Sequence, residues 1–153
     1  MALDDLYREV ILDHYAHPRN RGKLDPNDVA VEGTNPLCGD ELAIFLRLRD
    51  GRVEDARFEG RGCSISQAST SMMTEAIKGK TLQDVRALIE KFKGLMHGET
   101  PGDDLGELLA LAGVRKFPVR IKCATLSWVA LEQGLDEHAA GRSTAAASTE
   151  VEG

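Results

Sequence analysis

The sequence is poor in cysteine, proline and aromatic residues. It has three cysteines and five prolines in 153 residues, and aromatic side chains make up 5% of it. An odd number of cysteines does not suit a disulfide framework, and thiols in a reducing compartment more often serve catalysis or metal binding. The cysteines are therefore expected to be reduced and to carry chemistry.

Long apolar runs and an excess of positive charge are also missing. The sequence has no stretch of about 18 apolar residues, the length needed to span a bilayer. Asp4, Asp5 and Arg8 lie where a secretory signal would need an apolar core. The formal net charge is −6, which gives no general attraction to nucleic-acid phosphates or anionic lipids. The sequence predicts a cytoplasmic protein that binds neither nucleic acid nor membrane.

What the chain does contain is enough apolar side chain for one core. Hydrophobic residues make up 42% of the sequence, which is ordinary for a folded domain of this length. We expect one domain over residues 1–140. The remaining GRSTAAASTEVEG, residues 141–153, is small and polar, so it is predicted to be disordered.

Apolar periodicity predicts the order of helices and strands. The predicted elements are a helix from Leu3 to about His17, a short edge strand Val29–Glu32, strands Glu41–Arg49 and Val53–Glu59, a helix from Ser64 to about Gly79, a helix after Thr81, a short helix Asp103–Ala112, an extended segment 116–122 and a last helix from Cys123 to about Ala140. This order predicts an α+β, two-layer domain: a small antiparallel β-sheet of about three strands with helices packed on one face.

Local turn and cap signals support these boundaries. Asp50-Gly51 between two alternating segments is typical of a tight hairpin turn. The glycines of Gly60-Arg61-Gly62 would let the chain leave the sheet before Cys63. Thr81 has the side chain of a helix N-cap.

The three cysteines are far apart, but each falls at a predicted element boundary. Cys38 lies in the loop before the hairpin, whereas Cys63 and Cys123 begin predicted helices, where unpaired N–H groups favour a thiolate. Asp40 follows Cys38 by two residues, so both side chains could reach one ion. Three thiolates and a carboxylate suit tetrahedral Zn²⁺.

The residues alone leave other interpretations open. A single cysteine in a helical protein is usually a small buried apolar residue, and an aspartate after a glycine is often a turn or capping residue. C-x-D also lacks the paired C-x-x-C pattern from which a zinc site is recognised.

Longer segments carry a resemblance to a known family. LYREVILDHYAHPRNRG, NPLCGDELAIFLRL, FEGRGCSISQASTSMM and FPVRIKCATLSWVAL together resemble the U-type iron–sulfur cluster assembly family, with its NifU N-terminal or IscU-like fold, over roughly residues 3–138. The resemblance implies a ligand set of Cys38, Asp40, Cys63 and Cys123. It implies either a bound Zn²⁺ or an iron–sulfur cluster.

Two features resemble the SufU branch of this family rather than its scaffold members. Lys122 stands where scaffold members have a histidine before the third cysteine, and the segment GELLALAGVRKFP resembles the SufU insertion. The resemblance implies a zinc-dependent sulfurtransferase in which Cys38 accepts persulfide sulfur from a cysteine desulfurase, for delivery to a downstream assembly scaffold. The alternative is a scaffold on which clusters are assembled.

The remaining chemical side chains have other predicted roles. Lys122 is interpreted as either a cation near a negatively charged site or a solvated side chain, and the basic stretch near Cys123 as either a partner contact or a solvated surface. The residues interpreted as surface or packing side chains rather than ligands are His14, His17, His97, His138, Met72 and Met73, and the basic stretch is Arg115, Lys116 and Arg120.

Overall fold

The computed structural model describes residues 3–36, 39–99, 103–141 and 144–148. The elements are α1 (Leu3–Ala16), β1 (Val29–Asn35), β2 (Asp40–Arg49), β3 (Arg52–Arg61), α2 (Ser64–Ile77), α3 (Leu82–Met96), a 3₁₀ segment (Asp103–Lys116), α4 (Pro118–Ala139) and β4 (Thr144–Ser148). Within these residues, no helix is both long and apolar enough to cross a membrane.

The sheet has the order β3-β2-β1-β4. The pairs β1–β2 and β2–β3 are antiparallel, and β1–β4 is parallel. The β2–β3 turn has positive φ at both Asp50 (53°) and Gly51 (74°), as expected where a two-residue turn must match the twist of its strands. The predicted hairpin is confirmed.

One face of the sheet is buried beneath the helices. Apolar side chains alternate along the first three strands, as in Val29 and Val31 of β1 and Leu42, Ile44 and Leu46 of β2, and they are nearly inaccessible to solvent. Helix α4 packs against β1, and α2 packs against β3 and α4. The predicted α+β, two-layer architecture is confirmed.

The start of the last helix differs from the prediction. The segment 116–122 was expected to be extended, with the helix beginning at Cys123, but α4 begins at Pro118. Proline has no backbone N–H to lose in a first helical turn, and its fixed φ suits that position. Cys123 therefore lies in the second turn of α4 rather than among the free N–H groups of a helix start.

The segment before α4 is also not the predicted short α-helix. It is a 3₁₀ helix over Asp103–Lys116 that continues past Gly113 and is interrupted at Gly106, with φ 56° and ψ −130°. A spacing of three residues suits the three residues per turn of a 3₁₀ helix. The side chains at this spacing, all buried, are Leu105, Leu108, Leu111 and Val114.

The strand predicted at the edge of the sheet is longer than expected and lies inside it. β1 runs to Asn35 rather than stopping at Glu32, and β4 pairs alongside it as the outer strand. The composition of 141–153 predicted disorder, whereas the structure has a strand at Thr144–Ser148. Backbone ladder bonds need no particular side chain, so a small polar segment can pair without an alternating pattern in its sequence.

Candidate metal centre

Three of the four predicted ligands lie together. One ligand atom each from Asp40, Cys63 and Cys123 falls within 4.8 Å of the others. Asp40 begins β2, Cys63 precedes α2, and Cys123 is in α4. The start of β2 and two helices thus bring Asp40, Cys63 and Cys123 to one point, although successive members of this set are 23 and 60 positions apart in the chain.

Cys38 lies outside the described residues. It belongs to the chain segment between β1 and β2, whose flanking residues Asn35 and Asp40 are paired across the two strands. The role of Cys38 as fourth ligand and sulfur acceptor stays a prediction.

The carboxylate of Asp40 is held in place by the backbone before α2. Its Oδ1 accepts a hydrogen bond of 2.8 Å from the Cys63 N–H, and its Oδ2 lies 3.9 Å from Cys63 Sγ. Gly62 has φ 152°, and a Cβ at this position would overlap Asp40 Oδ1. Glycine is therefore needed at position 62 because the backbone there passes too close to the carboxylate for any side chain. The sequence predicts only the flexibility of this glycine.

Cys63 is the N-cap residue of α2, as predicted. Its carbonyl accepts from Gln67 N–H at 3.2 Å and from Ser66 Oγ at 3.2 Å. Cys63 is half-buried.

The neighbouring groups favour the thiolate form of Cys63. A hydrogen bond from Cys123 lowers the pKa of the Cys63 thiol from an ordinary 9.0 to about 6, and backbone N–H groups of Ser66 and Ile65 act in the same direction. Partial burial and the Asp40 carboxylate oppose the shift. A thiolate is the form in which cysteine binds metals and reacts as a nucleophile.

This lowered pKa predicts the pH dependence of Cys63 alkylation in metal-free protein. Because the thiolate reacts, the rate should rise with pH, and the lowered pKa should bring the half-maximal rate to about pH 6. Peptide-resolved mass spectrometry after iodoacetamide pulses would measure it. In Cys123→Ala the midpoint should move up, because the hydrogen-bond donor is gone; a wild-type midpoint near 9.0 would contradict the prediction.

Asn35 is a site residue that the sequence analysis missed. Its side chain is fully buried, and its Nδ2 lies 3.5 Å from Asp40 Oδ2 and 3.7 Å from Cys123 Sγ. The sequence signal is the Asn35-Pro36 pair shortly before Cys38, which by itself is typical of a turn and does not indicate a site residue.

A buried hydrogen-bond chain fixes the two helices that carry the cysteines. Ser69 of α2 donates from Oγ to the Ala124 carbonyl of α4 at 2.6 Å, and Trp128 Nε1 donates to the same Oγ at 3.1 Å. Ala124 follows Cys123 directly. The distance between Cys63 and Cys123 is thus set by contacts in the core as well as by the site.

Three of the residues predicted to lie outside the ligand set are packing residues. His14 is buried, with Nδ1 2.8 Å from Ser71 Oγ and Nε2 3.3 Å from Glu107 Oε1. Met72 and Met73 are core residues, as predicted.

The basic stretch before Cys123 divides into two parts. Arg115 donates from Nη1 to the Leu95 carbonyl and from Nε to the Ala112 carbonyl, so it joins the end of α3 to the 3₁₀ segment. This structural role differs from both the partner contact and the solvated surface considered for it. Lys116 and Arg120 line a cavity of about 510 Å³ beside α2. Lys122 lies in the groove between α3 and α4.

The donor set of this cluster fits Zn²⁺. Two thiols and a carboxylate are among the ligands that zinc takes, and a sulfur at about 2.3 Å and an oxygen at about 2.1 Å from a tetrahedral ion lie about 3.6 Å apart. The separation between Cys63 Sγ and Asp40 Oδ2 is 3.9 Å, close to that spacing.

Comparison with models of known protein families identifies the family of this chain. The model of the NifU-like N-terminal domain matches residues 6–138. The chain belongs to this family. The resemblance inferred from the sequence is thereby confirmed, and the match spans α1 through nearly all of α4.

The chain is similar to several individual proteins. This NifU-like domain is 52% identical over 141 residues to the zinc-dependent sulfurtransferase SufU of Bacillus subtilis, covering 91% of this chain and 95% of the relative. It is 43% identical over 139 residues to the iron–sulfur cluster assembly scaffold protein IscU of Streptococcus pyogenes, covering 90% and 87%. A solved candidate scaffold protein of the SUF system from Fervidobacterium islandicum superposes with a TM-score of 0.81 at 33% identity, covering 88% of this chain and 99% of that one.

Proposed function

We propose that this NifU-like domain is a zinc-dependent sulfurtransferase that accepts persulfide sulfur from a cysteine desulfurase for iron–sulfur cluster assembly. The observation that carries the proposal is the convergence of Asp40, Cys63 and Cys123 within 4.8 Å, in a chain 52% identical to a zinc-dependent sulfurtransferase. Among the described residues, Cys63 and Cys123 form no disulfide, which supports a reaction in a reducing compartment such as the cytoplasm.

The proposed ligands of the metal are Asp40, Cys63 and Cys123, with Cys38 as the fourth. Bound Zn²⁺ would keep the thiolates deprotonated and protect them from oxidation. Four protein donors leave no position for a water molecule, so the arrangement favours sulfur transfer over hydrolysis.

Sulfur transfer needs one accessible thiolate, and the thiolate proposed for that role is Cys38. Cys63 is tied to the start of α2, and Cys123 is fully buried in α4, whereas the sequence places Cys38 in the segment between β1 and β2, two residues after Pro36 and next to Gly39. The Cys38 thiolate attacks the outer sulfur of the donor persulfide; the donor S–S bond breaks, a new S–S bond forms on Cys38, and the donor cysteine leaves as a thiolate. No external oxidant is required.

Mass spectrometry tests the proposal directly. Zinc-loaded protein is incubated with a cysteine desulfurase and cysteine, and the added sulfur is mapped by peptide. The expected result is one extra sulfur on Cys38 and faster desulfurase turnover, with both lost in Cys38→Ala while that variant keeps its fold. Sulfur mapped to Cys63 or Cys123 would refute the assignment of Cys38.

A second candidate function is a scaffold on which clusters are assembled. The observation that favours it is the identity of 43% and 40% to IscU scaffold proteins, over about nine-tenths of the chain. It predicts an iron–sulfur chromophore after anaerobic reconstitution that transfers intact to an apo-acceptor, with no stimulation of a desulfurase. Sulfurtransfer predicts the stimulation without the transferable cluster.

A further inference from the structure

Asn35 occupies a position at the metal centre that the ligand set does not include. It is the last residue of β1 and the cross-strand partner of Asp40, so both side chains lie on the buried face of the sheet. Neither side chain is more than 1% exposed. Asn35 therefore contacts the site from the buried face of the sheet, whereas Cys63 is half-buried.

The amide of Asn35 faces two ligand atoms. Nδ2 lies 3.7 Å from Cys123 Sγ, a separation suited to an N–H donor and the large sulfur atom, and 3.5 Å from Asp40 Oδ2. Three thiolates and a carboxylate exceed the charge of Zn²⁺ by two. An amide donor offsets that excess without adding another charged group to the interior.

The other end of the same side chain has an unsatisfied group. Asn35 Oδ1 is buried and, among the described residues, has no hydrogen-bond partner. A buried unpaired carbonyl disfavours the folded state, so leucine, which is similar in shape, would suit a purely structural position better. The hydrogen bonds that the Asn35 N–H groups donate to Asp40 and Cys123 explain why an amide is present at this position.

We propose that Asn35 is a positioning residue that holds Cys123 and Asp40 as the fixed ligands of the bound metal, by donating N–H groups to the sulfur and the carboxylate. Hydrogen bonding to a thiolate lowers its nucleophilicity, so Cys123 stays on the metal while sulfur chemistry takes place at another cysteine. The assignment rests on the proposed metal-binding function and concerns a residue outside its ligand set.

The test compares Asn35→Leu, Asn35→Asp and wild type, using Co²⁺ as a spectroscopic probe added to metal-free full-length protein. Loss of a hydrogen-bonding partner of a metal ligand typically weakens metal binding 10–100-fold, and we expect a loss in this range for Asn35→Leu. The sulfur-to-cobalt charge-transfer band should move to lower energy, because the thiolate lone pairs are no longer stabilised. The metal-free Leu variant should unfold at the same denaturant concentration as wild type or a higher one.

Thr74→Val is the matched control. Thr74 is fully buried in α2 and donates from Oγ1 to the Ser71 carbonyl at 2.7 Å, so its replacement removes a buried hydrogen bond away from the ligands. It should change stability but neither the Co²⁺ affinity nor the band position.

Each alternative outcome decides the question. Wild-type affinity with an unshifted band in Asn35→Leu would overturn the assignment, as would a loss of affinity matched by a loss of metal-free stability. If Asn35→Leu does not fold, Asn35→Asp, which keeps the shape but replaces the donor, decides by the same two readouts. Wild-type protein that binds no Co²⁺ would instead refute the proposed metal function itself.

Discussion

Replacing Cys123 with alanine is expected to weaken Zn²⁺ binding by more than about 100-fold and to abolish stimulation of the desulfurase. Residues that only orient a ligand cost 10–100-fold when mutated, and Cys123 is placed to be a ligand itself, within 4.8 Å of Asp40 and Cys63. The substitution is small and apolar at a fully buried position, so the fold should persist. Zinc competition titration against a chromophoric chelator would measure the affinity.

Ser127→Ala provides the control for this variant. Ser127 lies one turn further along α4, is 1% exposed, and has an Oγ with no hydrogen-bond partner among the described residues. Its replacement should leave zinc affinity unchanged. Wild-type affinity in Cys123→Ala would show that Cys123 is a core residue and not a ligand.

Replacing Trp128 with alanine is expected to lower the free energy of unfolding by about 3–5 kcal/mol, the largest effect on stability predicted for this protein. Trp128 is fully buried, its ring stacks on Phe92 with centroids 4.4 Å apart, and its Nε1 donates to Ser69. The loss leaves a cavity and also loosens the hydrogen-bond chain between α2 and α4. Scanning calorimetry should show a Tm lower by roughly 10 °C.

Trp128→Phe separates packing from the hydrogen bond. It retains an aromatic ring near Phe92 but removes the N–H donor to Ser69, so its loss of stability should be smaller than that of the alanine variant. Equal Tm values for wild type and Trp128→Ala would contradict the role assigned to this core contact. Because Ala124 accepts from Ser69 next to Cys123, the alanine variant should also bind zinc less tightly.

Local sequence signals predicted the elements whose chemistry is local. Asp50-Gly51 predicted the hairpin because only a few residues adopt positive φ at two successive positions. Thr81 predicted the start of α3, where its Oγ1 accepts from Asp84 N–H at 3.1 Å. Cys63 was likewise placed correctly before α2.

Other boundaries depended on competing local effects that the sequence analysis weighed wrongly. The segment 116–122, which contains Pro118, is predicted to be extended, and the helix is therefore predicted to start at Cys123; proline also suits a first helical turn, and α4 begins at Pro118. The segment Asp103–Ala112 is predicted to be a short helix closed by Gly113, whereas its buried side chains recur every three residues in a 3₁₀ helix that continues to Lys116. In both cases a pattern compatible with two conformations was assigned to the wrong one.

The sequence by itself determined the family and the α+β class, and it predicted Cys38, Asp40, Cys63 and Cys123 as the candidate ligands, because these inferences depend on residue types, spacings and motifs that are readable along the chain. Only the tertiary structure decided that Asp40, Cys63 and Cys123 meet, that Gly62 makes room for the carboxylate and that Asn35 lies against two of the ligands. These contacts join residues from separate strands and helices, and their distances follow from packing across the core rather than from local spacing.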